Sequence, residues 1–257
     1  MRHTLAVRDL SVRFGGVAAL AGITFEVGVG AVTSLIGPNG AGKTTAFNAI
    51  TGYLRPTGGD VIWQGASIRG LRPSAIARRG IVRTFQKTSV FPQLSVVENV
   101  MIGLHLRGRA EWPAVIAGLP RVRDEERQLR EIAADVVDFV GLRHRVHELA
   151  GALPYGEQRL VELGIALAAQ PALLLLDEPA AGMSGTEKDA VSRLILDIRA
   201  RGTTVFLVEH DMRLVMGISD RVIVLNHGRL IADGPPADVQ AHPDVIRAYL
   251  GSAGAPA

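Results

Sequence analysis

Nine consecutive residues constrain this chain more than any other stretch: Gly37-Pro38-Asn39-Gly40-Ala41-Gly42-Lys43-Thr44-Thr45. Four residues separate Gly37 from Gly42, and Lys43 and Thr44 follow directly, which is the P-loop pattern. The run before it, residues 31–36, is short and apolar and reads as a strand, and a helix is expected after it. Glycines let backbone N–H groups turn inward around phosphate oxygens with no Cβ in the way. The helix adds the positive end of its dipole. Lys43 is expected to meet the β- and γ-phosphates as a point charge, and the Thr44 hydroxyl to ligate Mg²⁺. A chain with only three lysines rarely meets this pattern by chance.

A second signal lies far downstream. Leu173, Leu174, Leu175 and Leu176 form a run followed by Asp177 and Glu178. Such a run reads as a strand buried on both faces. It is expected to carry Asp177 to the carboxyl end of a sheet beside the P-loop, where the carboxylate can hold Mg²⁺ through water. Glu178, one position on, can reach a water and act as its general base. Gln86 ends the segment Arg83-Thr84-Phe85-Gln86, and His210 follows the strand-like run 203–209. Both are expected at sheet edges where a γ-phosphate or an attacking water is sensed.

The rest of the pattern supplies a frame. Residues 4–10, 22–27, 61–64, 81–85, 204–208, 222–225 and 229–232 read as strands, and 156–169 and 185–200 as helices. Ser95 with Glu98 three residues on predicts a capping box at the start of a helix. Strand–helix alternation implies a parallel sheet with crossover helices. Residues 107–140 are charged with helical spacing, read as a solvated, salt-bridged surface, and residues 88–165 as an inserted helical subdomain.

Composition excludes several classes. There is no cysteine, hence no disulfide, iron–sulfur cluster or thiol catalysis, which fits a reducing compartment. Twenty-eight basic against 25 acidic residues leave a net charge of +3, too small a surplus for a dedicated nucleic-acid binder. The first ten residues carry no signal-peptide core. The most apolar stretch, residues 163–176, is broken by Gln170 and Pro171, short of the roughly 18 to 20 residues of a membrane span.

Taken in order, these motifs resemble the ATP-binding subunits of ABC transporters over essentially the whole chain. Gly37 to Thr45 looks like the Walker A loop, Gln86 the Q-loop, and Leu153-Pro154-Tyr155-Gly156-Glu157-Gln158 the signature. Leu173 to Glu178 looks like Walker B with its catalytic Glu, and His210 the switch histidine. The resemblance implies an α/β fold, a P-loop NTPase nucleotide-binding domain of ABC type. Its RecA-like core carries an antiparallel β subdomain and an inserted helical subdomain. Residues 1–257 then form one domain, with 1–87 and 166–257 as nucleotide-binding core and 88–165 as helical signature subdomain.

The resemblance also implies roles. Glu178, His210 and Gln86 are the expected catalytic residues, and Thr44, Gln86 and Asp177 the expected Mg²⁺ ligands. Phe14 is expected to stack on adenine, while Tyr155, Gly156 and Glu157 act on the nucleotide of a second, homologous ATPase subunit. That pair, a heterodimer or a homodimer, is expected under two membrane permeases on the cytoplasmic face of the inner membrane. A solute-binding protein lies outside, and no nucleic acid is involved. The inserted region and the segment after Gln86 are the expected permease dock.

A narrower resemblance points to LivG-type subunits of branched-chain amino-acid importers. It rests on residues 83–86, 177–182, 208–212 and 243–250. Importers of another amino acid, amide or urea, and a weakly hydrolysing regulatory subunit, are the alternatives. A chromosome-acting ABC ATPase is disfavoured, since residues 86–153 hold no sustained heptads. Two positions depart from the family pattern: Pro154 stands where the signature usually has Ser, and Ser184 where the following loop usually has Asp.

Overall fold

The computed structural model describes residues 3–84, 90–104 and 120–250. It divides into two compact units: residues 1–83, 172–181 and 188–257, and residues 84–171 with 182–187.

The first unit opens with strands β1 (His3–Phe14), β2 (Val17–Gly28) and β3 (Val32–Ile36), then helix α1 (Lys43–Ile50). Strands β4 (Gly58–Trp63) and β5 (Ala66–Ser67), helix α2 (Pro73–Ala77) and strand β6 (Ile81–Arg83) follow. The second unit contains α3 (Val96–Leu104), α4 (Pro120–Phe139) and α5 (Tyr155–Ala168). The chain re-enters the first unit at β7 (Leu173–Asp177); α6 (Gly185–Ala200), whose first residues fall in the second unit, and β8 (Thr204–Val208) follow. It closes with α7 (Met212–Ile218), β9 (Arg221–Asn226), β10 (Arg229–Gly234), α8 (Pro236–Gln240) and α9 (Pro243–Leu250).

Two sheets organise the first unit. One is antiparallel, in the order β2-β1-β4-β5. The other runs β10-β9-β3-β8-β7-β6, parallel throughout except for the terminal β9–β10 hairpin. Strands β3, β7 and β8 are buried along their whole length, as strands covered on both faces must be. Of the two buried polar residues within β3, Ser34 is satisfied by the Ser219 hydroxyl at 2.5 Å, while the Thr33 hydroxyl has no hydrogen-bond partner among the described residues. Phe206 on β8 ties the layers together. Its ring lies 5.0 Å from Phe47 of α1 and 5.7 Å from Phe25 of β2, centroid to centroid.

In the second unit, α3 begins with the expected capping box. Ser95 N–H donates to Glu98 Oε2 at 2.8 Å, and Glu98 N–H to Ser95 Oγ at 3.4 Å. Fully buried Asn99 braces the preceding turn. Its amide donates to the Phe91, Leu94 and Ser95 carbonyls, and its oxygen accepts the Phe91 N–H.

The helix at 185–200 and the strand at 204–208 have the bounds expected from the sequence. The strand expected at 61–64 starts earlier, at Gly58, and stops at Trp63, because Gln64 turns to φ +48°. The strand expected at 81–85 is described only to Arg83. Helices α2, α7, α8 and α9 were not legible, each being eight residues or fewer. The described part of the charged 107–140 stretch is helical from Pro120. Among the described residues no helix is long and apolar enough to cross a membrane.

Candidate functional site

The phosphate-loop pattern lies where β3 ends and α1 begins. At Gly37, φ is +151°, and a Cβ there would sit 2.1 Å from the Leu225 carbonyl oxygen of β9. At Gly42, φ is +104°, and a Cβ would come within 2.7 Å of the Ala19 carbonyl oxygen of β2. Both positions therefore combine a left-handed conformation with a neighbouring main chain too close for any side chain. The β9–β10 turn completes the surround: Ala21 N–H donates to Gly228 O at 2.9 Å, and Gly228 N–H to Ala41 O at 3.0 Å.

Lys43 opens α1 and is only 6% exposed. Its ammonium donates to the Gly37 and Pro38 carbonyls at 2.6 and 3.0 Å. Burial pushes its pKa below the ordinary lysine range, while Glu178 and Asp177 pull it upward. A cavity of about 220 Å³ lies in front of it, lined by residues 39–45, Glu178 and His210.

The acidic side of this cavity is assembled by side chains. Asp177 ends β7 almost wholly buried, and its Oδ2 accepts Arg83 Nη2 at 2.7 Å. Arg83 also donates to Asn48 Oδ1 at 2.7 Å and Thr51 Oγ1 at 3.2 Å, and its guanidinium lies 5.5 Å from the Phe47 ring centroid. One cation thus links the end of β6, the end of β7 and the helix that begins at Lys43. Glu178 adopts φ +50°, and its Oε1 lies 2.7 Å from His210 Nε2.

The structure therefore brings Asn39, Gly40, Ala41, Gly42, Lys43, Thr44 and Thr45 together with Glu178 and His210. Gly37 and Pro38 lie behind them under the Lys43 ammonium, and Asp177 contributes to the electrostatics of that lysine. Phe14 is 54% exposed at the end of β1, paired with Val17, and does not line the cavity. Gln86 lies outside the described residues.

Tyr155, Gly156 and Glu157 belong to the second unit, at the start of α5. Pro154 is the N-cap there and supplies no side-chain hydrogen bond, as its ring dictates. The Tyr155 hydroxyl accepts Arg159 Nε at 3.0 Å, and Arg159 pairs with Glu162 at 2.8 Å. Glu157 forms an ion pair with Arg145 at 3.2 Å. Gly156 is packed under Glu187, whose Oε1 would lie 2.3 Å from an added Cβ. Glu187 is in turn held by Ser184, whose N–H and hydroxyl donate to Oε2 at 2.8 and 2.6 Å. Ser184 thus starts a capping box at the beginning of α6.

Three residues of this architecture were not singled out from sequence. Arg83 had a signal, a charge at the end of an otherwise apolar strand. Glu209 had a signal like the one that marked Asp177, an acid at the end of a strand run, and its carboxylate accepts Ala180 N–H at 3.0 Å and His210 N–H at 2.9 Å. Tyr249 had none. It packs against the cluster containing Ile36 and hydrogen-bonds to the Gly37 backbone, and burial raises its hydroxyl pKa to about 12 despite that bond.

Comparison with known proteins agrees from end to end. Residues 20–181 match the family model described as ABC transporter, and residues 229–255 the one described as branched-chain amino acid ATP-binding cassette transporter. The chain is 44% identical over 253 residues to the high-affinity branched-chain amino acid transport ATP-binding protein BraF of Pseudomonas aeruginosa, covering 98% of this chain and 99% of that protein. It is 41% identical over 250 residues to LivG of Escherichia coli K12, a protein of the same description, covering 97% and 98%. A solved ATP-binding cassette of an ABC transporter, in its ADP conformation, superposes with a TM-score of 0.85 at 32% identity, over 98% of this chain and all of that one.

Proposed function

Because the chain belongs to the ABC transporter family, we propose that it is the ATP-binding and hydrolysing subunit that powers an importer of branched-chain amino acids. The observation that carries the reading is a single cavity lined both by the phosphate loop and by the Glu178–His210 pair. The solute follows from the relatives, matched over nearly their whole length, and from the family-specific segment at residues 229–255.

In this reading the triphosphate of ATP takes the place of the loop carbonyls as partner of the Lys43 ammonium. The N–H groups of the loop and the start of α1 hold the phosphate oxygens. Phe14, exposed at its hairpin, offers a face for adenine. Glu178 takes a proton from the attacking water while the water oxygen bonds to the γ-phosphorus and ADP departs with the bridging oxygen. His210 holds Glu178 Oε1 in place during that transfer. Mg²⁺ fits the donor set: the Thr44 hydroxyl and the Asp177 carboxylate are hard oxygen ligands, and Gln86 is the further candidate. When bound, it supplies positive charge against the phosphate oxygens.

The segment Tyr155, Gly156 and Glu157 serves the nucleotide of a homologous ATPase subunit, in a heterodimer or a homodimer. Residues 1–87 and 166–257 serve as nucleotide core, and 88–165 as the signature subdomain. Two permeases in the inner membrane and, indirectly, a solute-binding protein complete the assembly, with this chain on its cytoplasmic face. Crosslinks from permease loops are expected between about residues 86 and 125, and crosslinks confined to the segment after Asp233 would remove that dock.

The decisive variant is Glu178→Gln in the assembled transporter. It keeps shape and hydrogen bonding but removes the basic carboxylate. Hydrolysis at this site should fall by about 10²- to 10⁴-fold while ATP binding survives. Wild-type turnover at that site, read in single-site measurements, would take Glu178 out of the reaction.

A further inference from the structure

Glu178 adopts a left-handed backbone conformation, φ +50°, that a residue with a long side chain rarely takes. Such a conformation persists only where the surroundings over-determine it. Here they do so on both sides of the residue. Glu178 N–H donates to the Val208 carbonyl at 2.9 Å, and Ala181 N–H closes the turn onto the Glu178 carbonyl at 3.2 Å. Between them, Ala180 N–H donates to Glu209 Oε1 at 3.0 Å.

Glu209 is 4% exposed, and its other oxygen is also in use. Oε2 accepts His210 N–H at 2.9 Å and Asp211 N–H at 3.4 Å. One buried carboxylate therefore spans two loops, the one after β7 that carries Glu178 and the one after β8 that carries His210. Those two side chains meet at 2.7 Å. Glu209 itself is directed at main-chain donors, and it does not line the cavity.

We propose that Glu209 is a positioning residue for hydrolysis, its carboxylate tying the Glu178 loop to the His210 loop so that the pair stays aligned. The inference rests on the reading of Glu178 as general base with His210 as its partner. An ionised carboxylate is suited to the task because both oxygens accept and neither donates. An amide of the same length cannot replace it. Whichever way it turns, its NH₂ group faces a main-chain N–H, and one of the two loops loses its acceptor.

The test compares Glu209→Gln, Glu209→Asp and Glu178→Gln in the assembled transporter, with ATPase kinetics and ATP binding read on the same preparations. Glu209→Gln should lower kcat about 10- to 100-fold, the loss of one charge-assisted hydrogen bond expressed at the reacting group. The KM for ATP should stay within about two-fold, because Lys43 and the loop amides are untouched. Glu209→Asp keeps the charge but falls one methylene short of spanning both loops, so its kcat should stay low as well. It also provides the readout if the glutamine variant does not fold. A wild-type kcat in Glu209→Asp, or equal losses in kcat and ATP affinity in Glu209→Gln, would overturn the proposal. Loss of turnover in Glu178→Gln with full turnover in Glu209→Gln would overturn it alone. Full turnover in Glu178→Gln would instead overturn the reading beneath it.

Discussion

The loop after β3 and the loops after β7 and β8 face the same cavity but are held by opposite means. The first is shaped by missing atoms. Main-chain oxygens at Leu225 and Ala19 approach Gly37 and Gly42 so closely that no Cβ fits, and the one charged side chain, Lys43, is turned onto the loop's own carbonyls. The second is shaped by side-chain contacts: Arg83 on Asp177, Glu178 on His210, and Glu209 across both loops. A support made of main chain leaves the side chain of Lys43 available to a ligand. A support made of side chains fixes carboxylates where water can be used, at the expense of depending on each partner.

Three substitutions press on this contrast. The largest effect on stability is expected from Arg83→Met, which withdraws the counter-charge from a buried carboxylate. Breaking such a pair from one side costs about 3–5 kcal/mol. Denaturant unfolding should show that loss, and a change below about 1 kcal/mol would mean that the β7 side does not depend on the Arg83–Asp177 pair. Lys43→Ala is next. Charge-assisted hydrogen bonds of about 1.5–3 kcal/mol would be lost, so ATP affinity by calorimetry should drop by roughly 100-fold. The unfolding midpoint should move less than for Arg83→Met, since a buried ammonium is itself unfavourable. An unchanged ATP affinity would end the P-loop assignment.

The smallest effect is expected at Asp211, the N-cap of α7, which accepts the Arg213 and Leu214 N–H groups and pairs with Lys188 at 2.7 Å. Asp211→Ala should cost about 1 kcal/mol. The Lys188 hydrogen bond, then the backbone N–H groups, hold the Asp211 carboxyl below its ordinary pKa. Its stabilisation is therefore present above the unfolded-state value and lost as pH falls through the lower folded-state value. The gap between wild type and Asp211→Ala should narrow on acidification below about pH 4. A constant gap would assign the cap a role independent of its charge.

The same contrast explains what the sequence disclosed. Gly37 to Thr45 could be read directly because the constraint acts on consecutive residues, and an apolar strand ending in Asp177 and Glu178 is similarly local. The capping box at Ser95 and Glu98 spans four positions and was equally plain. Arg83, Glu209 and Tyr249 were passed over because each acts on something far along the chain: Arg83 on Asp177, Glu209 on Ala180, Tyr249 on Gly37. Helices α7, α8 and α9 escaped because each is only a turn or two long. Their stability comes from caps and from packing, as at Asp211 and at Val239 and Val245.

The β9–β10 turn carries a consequence for the order of assembly during synthesis. Gly228 bonds to Ala41 of the phosphate loop and to Ala21 of β2, and Leu225 is the neighbour that forbids a side chain at Gly37. A nascent chain that has emerged only through β8 already contains the whole phosphate loop and none of this support. Contacts of such long sequence separation close late, after the loop entropy between them has been overcome. The cradle is thus a product of nearly complete synthesis, and a fragment ending before residue 221 should carry the motif without the ability to hold a nucleotide.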